Sequence, residues 1–237
     1  MIRRVLEGIA ACALFAAPAS AEAATDPLAA TDNPTVTVTA RSLSPANPDV
    51  FGTVTVDAGV TVYGARWRRV SAADANDPRL VAMMTPAAGL DPLAKLAFVQ
   101  RAVRNRIAWR RDLDGYRISD YWAQAGETLD RGYGDSEDIA VLKMQALKAA
   151  GFNARDFYLS VGRDRTRGAD TLLLVRVGSR FYVLDDRADR PLASEEHARF
   201  VPIITLGKGT AWLHGKRYAG HARARNSVIA TRPSIIR

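Results

Sequence analysis

The chain has 237 residues, and 33 Lys and Arg against 25 Asp and Glu give it a formal net charge of +8. This length is enough for one sizeable core, so we expect a single domain. Cys12 is the only cysteine, which excludes an internal disulfide and, in a chain that has lost residues 1–21, any thiolate chemistry.

Residues 1–21 have the pattern of a secretory signal peptide. A basic start precedes an apolar run from Gly8 to Ala17, and the small residue Ala21 suits cleavage. The run is shorter than the roughly 20 residues that a helix needs to cross a bilayer, so we expect no membrane span. The sequence therefore predicts a periplasmic or secreted protein.

The predicted domain is flanked by two segments of low apolar content. Residues 22–49 lack a sustained apolar period and are rich in Ala, Thr, Pro, Asp and Ser, which predicts a disordered leader. The domain itself is expected over residues 50–215, followed by a basic C-terminal extension over residues 216–237. An exported basic chain meets anionic envelope material before nucleic acid, so we expect envelope contact through this extension and no nucleic-acid partner.

Two helices are predicted in the first half of the domain. The first covers residues 91–112, with Asp91 as its N-cap, Pro92 at the first helical position and its apolar residues on one face. The second runs from residue 138 to residue 150 and ends at Gly151. Few of its residues are polar, so we expect it to be largely buried.

After the second helix the apolar period changes from 3.6 to 2. The runs "DFYLSVG", "DTLLLVRV" and "RFYVLDD" predict strands, and Gly178 and Ser179 suit a tight hairpin between the last two. "FVPIITLG" and "AWLHG" predict further strands. Helices followed by an antiparallel sheet indicate the α+β class.

A possible nucleophile, Ser136, lies among carboxylates at the start of the second helix. A helix N-terminus lowers the pKa of a thiol, but a hydroxyl there still needs a general base. None of His197, His214 and His221 has a local signature of such a base. Two hypotheses follow: Asp135 or Ser136 merely caps the helix, or a distant histidine makes Ser136 a catalytic residue.

The order of several stretches resembles a known family over about residues 50–215. They are "FGTVTV", "AVRNRIAWRRDLDGY", "DYWAQAGETLDRGYGDSEDIAVLKMQALKAAG", "LLLVRVGSRFYVLDDR" and "FVPIITLGKGTAWL", and they resemble the bacterial transglutaminase-like cysteine peptidases. The resemblance implies a transglutaminase-like or papain-like core, with N-terminal helices packed on an antiparallel β-sheet. It also implies a triad of Cys, His and Asp.

The same resemblance places the triad positions in this chain. The family Cys falls on Ser136 and the acid on Asp185, while counting back along the hairpin puts the His on Asp170 or, with a one-residue shift, on Thr171. A carboxylate with an ordinary pKa near 4 is a poor substitute for imidazole. The resemblance therefore implies a degenerate pseudo-peptidase.

Members of the family also bind calcium through carboxylates beside the nucleophile, and Asp135, Glu137 and Asp138 match those positions. Oxygen ligands of this kind suit Ca²⁺. The expected function is then non-catalytic binding of a peptide or a surface or envelope protein, with Ca²⁺ as cofactor. The alternatives are a periplasmic hydrolase using Ser136 with a base from elsewhere, and envelope binding through the basic extension.

Overall fold

The structure is a computed structural model that describes residues 47–72 and 76–216. The predicted signal peptide, residues 22–46 of the predicted leader and residues 217–237 of the predicted extension lie outside the described residues. In the described part of the chain, no helix has the length and apolar character needed to cross a membrane. Asp49 Oδ1 accepts hydrogen bonds from the Thr55 N–H and hydroxyl, both 2.8 Å long, so packing begins before residue 50.

Seven of the strands form one antiparallel sheet in the order β1-β9-β8-β4-β5-β6-β7, and β2 and β3 form a short parallel pair. The strands are β1 (Val54–Asp57), β2 (Ala108–Trp109), β3 (Tyr133–Gly134), β4 (Phe157–Asp164), β5 (Gly168–Val177), β6 (Arg180–Leu184), β7 (Leu192–Ala193), β8 (Phe200–Gly207) and β9 (Thr210–Gly215). The predicted hairpin at Gly178 and Ser179 is confirmed as the turn between β5 and β6.

The helices precede most of the large sheet in the chain, as the α+β prediction requires. They are α1 (Gly64–Ser71), α2 (Pro78–Met84), α3 (Pro92–Arg104), α4 (Asp112–Gly115), α5 (Ala125–Arg131) and α6 (Ser136–Ala149). The predicted burial of the second helix is confirmed in α6, where every residue from Asp138 to Leu147 is buried. Gly151 follows it with a positive φ of 91°, a conformation that favours glycine.

Helix α3 begins as predicted but ends earlier. The Asp91 carboxylate accepts a hydrogen bond of 3.0 Å from the Ala94 N–H, and Pro92 occupies the first turn. The predicted extension to residue 112 is wrong, because the helix ends at Arg104. The Ala108 N–H instead donates to the Gly132 carbonyl in the β2–β3 pair, so a tertiary contact decides where the helix stops.

The large sheet has apolar side chains packed on both faces. On β5, Leu173 and Val175 face α6 and the main core, whereas Leu172 and Leu174 face a second core with Tyr158. Successive side chains of a strand alternate between the two faces. The odd-numbered residues of β5 therefore direct their side chains towards α6, and the even-numbered residues direct theirs towards the second core.

His214 joins three strands at one end of this sheet. The Thr53 hydroxyl donates to the Val50 carbonyl at 2.7 Å, so it accepts from His214 Nδ1, which is 2.7 Å away. His214 Nε2 lies 2.7 Å from the Thr205 hydroxyl, which donates to Ser160 Oγ at 3.0 Å. Burial lowers the pKa of His214 to about 4, so the imidazole is neutral in this arrangement.

The contribution of His214 to stability should depend on pH. Because its pKa falls from 6.5 in the unfolded chain to about 4 in the folded protein, this stability is present above pH 6.5 and is lost as the pH falls towards 4. When the pH is lowered from 7 to 4.5, we expect the free energy of unfolding to decrease more in the wild type than in His214→Gln. The difference between the two decreases should be on the order of 1–3 kcal/mol. Urea unfolding measures this difference, and parallel pH profiles for the two proteins would contradict it.

Candidate functional site

Ser136 begins α6 at the edge of a cleft of about 640 Å³. Its hydroxyl donates to Glu137 Oε2 at 3.1 Å and accepts from the Thr171 N–H at 3.2 Å. Among the described residues, these are the hydrogen-bond partners of Ser136 Oγ, and neither is a histidine. Within residues 47–72 and 76–216, no imidazole is therefore in place to accept the proton of the Ser136 hydroxyl.

The two described histidines have other partners. His197 Nε2 lies 2.9 Å from Asp185 Oδ2, and its ring packs edge-on against Phe51 and Phe200 in the second core. Both nitrogens of His214 are hydrogen-bonded to threonine hydroxyls. The third histidine, His221, lies outside the described residues. The alternative of a Ser136 hydrolase finds no base among the described histidines.

Asp170 and Asp185, which the family resemblance assigned to the triad, are joined by one guanidinium. Arg187 donates to Asp170 Oδ2 at 2.7 Å and to Asp185 Oδ1 at 2.9 Å. Burial raises the pKa of Asp170; it also acts to raise that of Asp185, but hydrogen bonds from His197 and Arg187 hold the latter well below its usual range. Asp170 also borders the cleft: its Oδ1 accepts at 3.0 Å from the Thr171 N–H, the same group that donates to Ser136 Oγ.

Thr171 is on the other face of β5, the one that faces α6. Thr171 lies two residues before Leu173, so the two side chains are on the same face of β5. Leu173 belongs to the main core and pairs with Leu184 on β6. The β5–β6 register ends at this pair, and Asp185 and Asp186 follow β6 in the chain. Of the two positions that the sequence left open for the family His, Thr171 is the one whose side chain has the strand alternation that faces α6.

Two sets of carboxylates converge at the start of α6. Oxygens of Asp112, Asp135 and Asp138 lie within 4.8 Å of one another, and so do those of Asp112, Asp120 and Glu137. Asp112 lies in α4 and Asp120 in the loop that follows, and the sequence analysis missed both. The acid-rich run "DLDGYRISD" was visible, but nothing in its spacing connected it with residues 135–138.

Several carboxylate oxygens in this acidic cluster lack a hydrogen-bond partner. They are buried atoms of Asp112, Asp135 and Asp138. The second oxygens of Asp112 and Asp138 accept from the N–H groups of Tyr121 and Ala123, which hold the carboxylates in place. Asp135 occupies the N-cap position of α6, yet its side chain makes no capping hydrogen bond. Capping by Asp135 thus does not account for the cluster.

Burial and mutual repulsion make the acidic cluster electrostatically costly. Burial first, and then the neighbouring Glu137 and Asp138, raise the pKa of Asp135 to about 10. Burial raises the pKa of Asp138 to about 7, and it also raises those of Asp112 and Glu137. A divalent cation would reverse these shifts, because it favours the ionised form of every ligand. Ca²⁺ is coordinated by several oxygen ligands in flexible geometry, so a group of converging carboxylates suits this ion.

Comparison with known proteins agrees with this architecture. The sequence model of the family described as bacterial transglutaminase-like cysteine proteinase, BTLCP, matches residues 60–213. The chain belongs to this family. No curated protein sequence matches it.

Solved structures of a family-like fold superimpose on the chain. Calcium-bound LapG of Legionella pneumophila gives a TM-score of 0.50 at 17% identity, covering 66% of this chain and 92% of LapG. EGTA-treated LapG gives 0.50 at 18% identity, covering 68% and 89%. The predicted fold, a transglutaminase-like core with helices packed on an antiparallel sheet, is confirmed.

Gly134 should be required for the position of Asp138. A Cβ at residue 134 would lie 2.6 Å from Asp138 Cβ and 2.8 Å from its Oδ2, and Asp138 is fully buried. We expect Gly134→Ala to lower the free energy of unfolding by about 1–3 kcal/mol, as measured by urea unfolding.

Gly132→Asn is the matched control for this change. A Cβ at residue 132 meets open space, and Asn tolerates the positive φ of 68° found there. Equal losses of stability in the two variants would contradict a specific clash with Asp138.

Proposed function

We propose that this protein is an exported, non-catalytic member of its family that binds a peptide segment in the cleft beside Ser136 and Ca²⁺ in the acidic cluster. The observation that carries the proposal is the contrast at the start of α6. The Ser136 hydroxyl has no imidazole beside it among the described residues. The acidic cluster next to it contains buried carboxylate oxygens that make no hydrogen bond within the described chain.

Glu137 is not an adequate substitute for the missing base. It accepts the Ser136 hydroxyl hydrogen at 3.1 Å, but its carboxylate also belongs to the proposed cation site with Asp112 and Asp120. A carboxylate that is bound to a cation is a weaker proton acceptor. With Ca²⁺ bound, Glu137 therefore does not supply the base that a serine nucleophile needs.

The cleft has the lining of a peptide-binding site. Tyr63, Trp109 and Trp122 supply aromatic surface, and Trp109 remains 47% exposed. In β2 the N–H groups of Ala108 and Arg110 pair with β3, so the alternating backbone groups of Trp109 point away from β3. An extended peptide can bind such an edge through its main chain. The partner we infer is a peptide or a segment of a surface or envelope protein.

Export of the protein is supported by the signal-like pattern of residues 1–21. Contact of residues 216–237 with anionic envelope material, which the basic composition suggests, is a separate proposal. It is tested by comparing retention on anionic lipopolysaccharide before and after deletion of residues 217–237.

Calcium should bind and stabilise the protein. We expect a single-site isotherm in calorimetric titration of the chain lacking residues 1–21, and a higher melting temperature with Ca²⁺. Asp112→Asn should weaken Ca²⁺ binding by about tenfold or more and should stabilise the metal-free protein, because one repelling charge is removed. Asp130→Asn is the control, since Asp130 is 69% exposed and pairs with Arg79 outside the cluster.

The pH dependence gives an independent check on the same site. The raised pKa of Asp138, about 7, means that the folded protein keeps a proton that the unfolded chain loses near pH 4. Without Ca²⁺, stability should therefore fall as the pH rises from 4 to 8, and saturating Ca²⁺ should reduce this fall. Absence of heat and of any thermal shift on titration would refute the cation site.

A histidine should activate a thiol at residue 136 only when it is introduced on the face of β5 that is directed at α6. We expect no labelling of the wild type by a fluorophosphonate probe. Ser136→Cys combined with Thr171→His should react with iodoacetamide at pH 7 about tenfold faster than Ser136→Cys alone, since a nearby imidazole lowers the thiol pKa. The combination with Asp170→His is the matched control and should show no gain.

These variants contain one thiol once residues 1–21 are removed, because Cys12 is the only native cysteine. Wild-type labelling that disappears in Ser136→Ala would reveal a base in the protein and would overturn the non-catalytic assignment. An equal gain from Thr171→His and Asp170→His would contradict the assignment of the faces.

A further inference from the structure

A second, smaller cavity adjoins the cleft at Trp109, which lines both. It has a volume of about 180 Å³, and we call it the Lys143 pocket; its lining residues are Val103, Arg104, Ile107, Trp109, Ile139, Lys143 and Asp186. Most of the wall is apolar. Arg104 is already paired with Asp189, so the polar character of the interior comes from Lys143 and Asp186.

Lys143 brings unused donors to this pocket. Its side chain is fully buried on α6, and its one hydrogen bond within the described chain goes from Nζ to the Leu184 carbonyl at 3.2 Å. An ammonium group has three donor hydrogens. Burial lowers the pKa of Lys143 to about 8, as expected of an amine with too few polar partners.

Asp186 brings an acceptor, because its buried Oδ1 makes no hydrogen bond within the described chain. Its side chain is only 10% exposed. Two guanidinium groups lie at ion-pair distance without hydrogen-bonding it: Arg187 Nε is 3.4 Å from Oδ1 and Arg167 Nη1 is 3.7 Å from Oδ2. The charge of Asp186 acts to raise the pKa of Lys143, yet their charged atoms do not come within the 4.0 Å of an ion pair. A buried donor and a buried acceptor thus line one pocket without meeting.

The chemistry that satisfies both groups is a primary carboxamide. Its carbonyl accepts from Lys143 and its NH₂ group donates to Asp186, while its carbon chain contacts the apolar wall. An aliphatic group would leave the remaining Lys143 donors and Asp186 Oδ1 without a partner, a carboxylate would repel Asp186, and an ammonium would repel Lys143. A Gln or Asn side chain is small enough for a pocket of this volume.

We infer that the Lys143 pocket binds the carboxamide side chain of a Gln or Asn residue in the peptide that occupies the cleft. This inference rests on the proposed function for the source of the carboxamide. The pocket itself depends only on Lys143, Asp186 and the apolar wall, so a free primary amide tests it separately from the cleft.

The first experiment measures binding of propionamide, propionate and propylamine to the chain lacking residues 1–21, by ligand-observed NMR. We expect propionamide to bind at least about tenfold more tightly than the other two. Lys143→Met should abolish this preference, and Lys95→Met, a lysine outside the pocket, should retain it. No preference for propionamide, or a preference that survives Lys143→Met, would overturn the inference.

Asp186→Asn provides a test that is nearly isosteric and less demanding on folding. The amide removes the negative charge that rejects carboxylates, so propionate should gain affinity and become the preferred ligand beside Lys143. An unchanged order of the three ligands would show that Asp186 does not line the binding site.

The second experiment identifies the source of the carboxamide. Peptides that contain Gln are compared with the same peptides containing Met, which has a similar length and volume. Stronger binding of the Gln peptides by the wild type, but not by Lys143→Met, supports the inference. If propionamide binds and peptides of both kinds fail to bind, peptide binding in the cleft is refuted; if both kinds bind equally, the side-chain assignment is refuted.

Discussion

Nearly the whole of α6 is removed from solvent, and the geometry of the site depends on this burial. The helix packs against α2, α3, α5 and β5, and its residues from Asp138 to Leu147 are buried. A helix enclosed in this way cannot shift without opening a close-packed core. Ser136 in its first turn and Lys143 two turns later are therefore held at fixed places relative to the sheet.

Two groups of acidic residues near the cleft have their charges balanced differently. Arg187 lies within ion-pair distance of Asp164, Asp170 and Asp185, so the protein supplies its own cation to the first group. At the start of α6, no described Lys or Arg pairs with Asp112, Asp135 or Asp138. The first group is complete within the fold, whereas the second depends on protons or on a cation from solution.

The cleft is assembled from several separate segments of the chain. Ser136 lies on α6 and Thr171 on β5, whereas the aromatic lining and the additional carboxylates come from the segments around Trp109, Asp112 and Trp122. A change at residue 136 or 171 therefore leaves these other contributions to the cleft in place.

The sequence by itself determined the local features of this protein. The cap at Asp91, the end of α6 before Gly151 and the turn at Gly178 and Ser179 each follow from the conformational preferences of a few adjacent residues. Asp135, Glu137 and Asp138 were predicted as metal ligands from the family resemblance, which was possible because they are neighbours in one motif.

Only the tertiary structure decided which distant residues meet. The pairing of β2 with β3 ended α3 at Arg104, and the folding of α4 and its following loop brought Asp112 and Asp120 to the acidic cluster. The register of β5 separated Thr171 from Asp170, a choice that counting along the chain could not make. Such contacts depend on strand register and packing across many residues of chain, and a one-residue change in register moves a side chain to the other face.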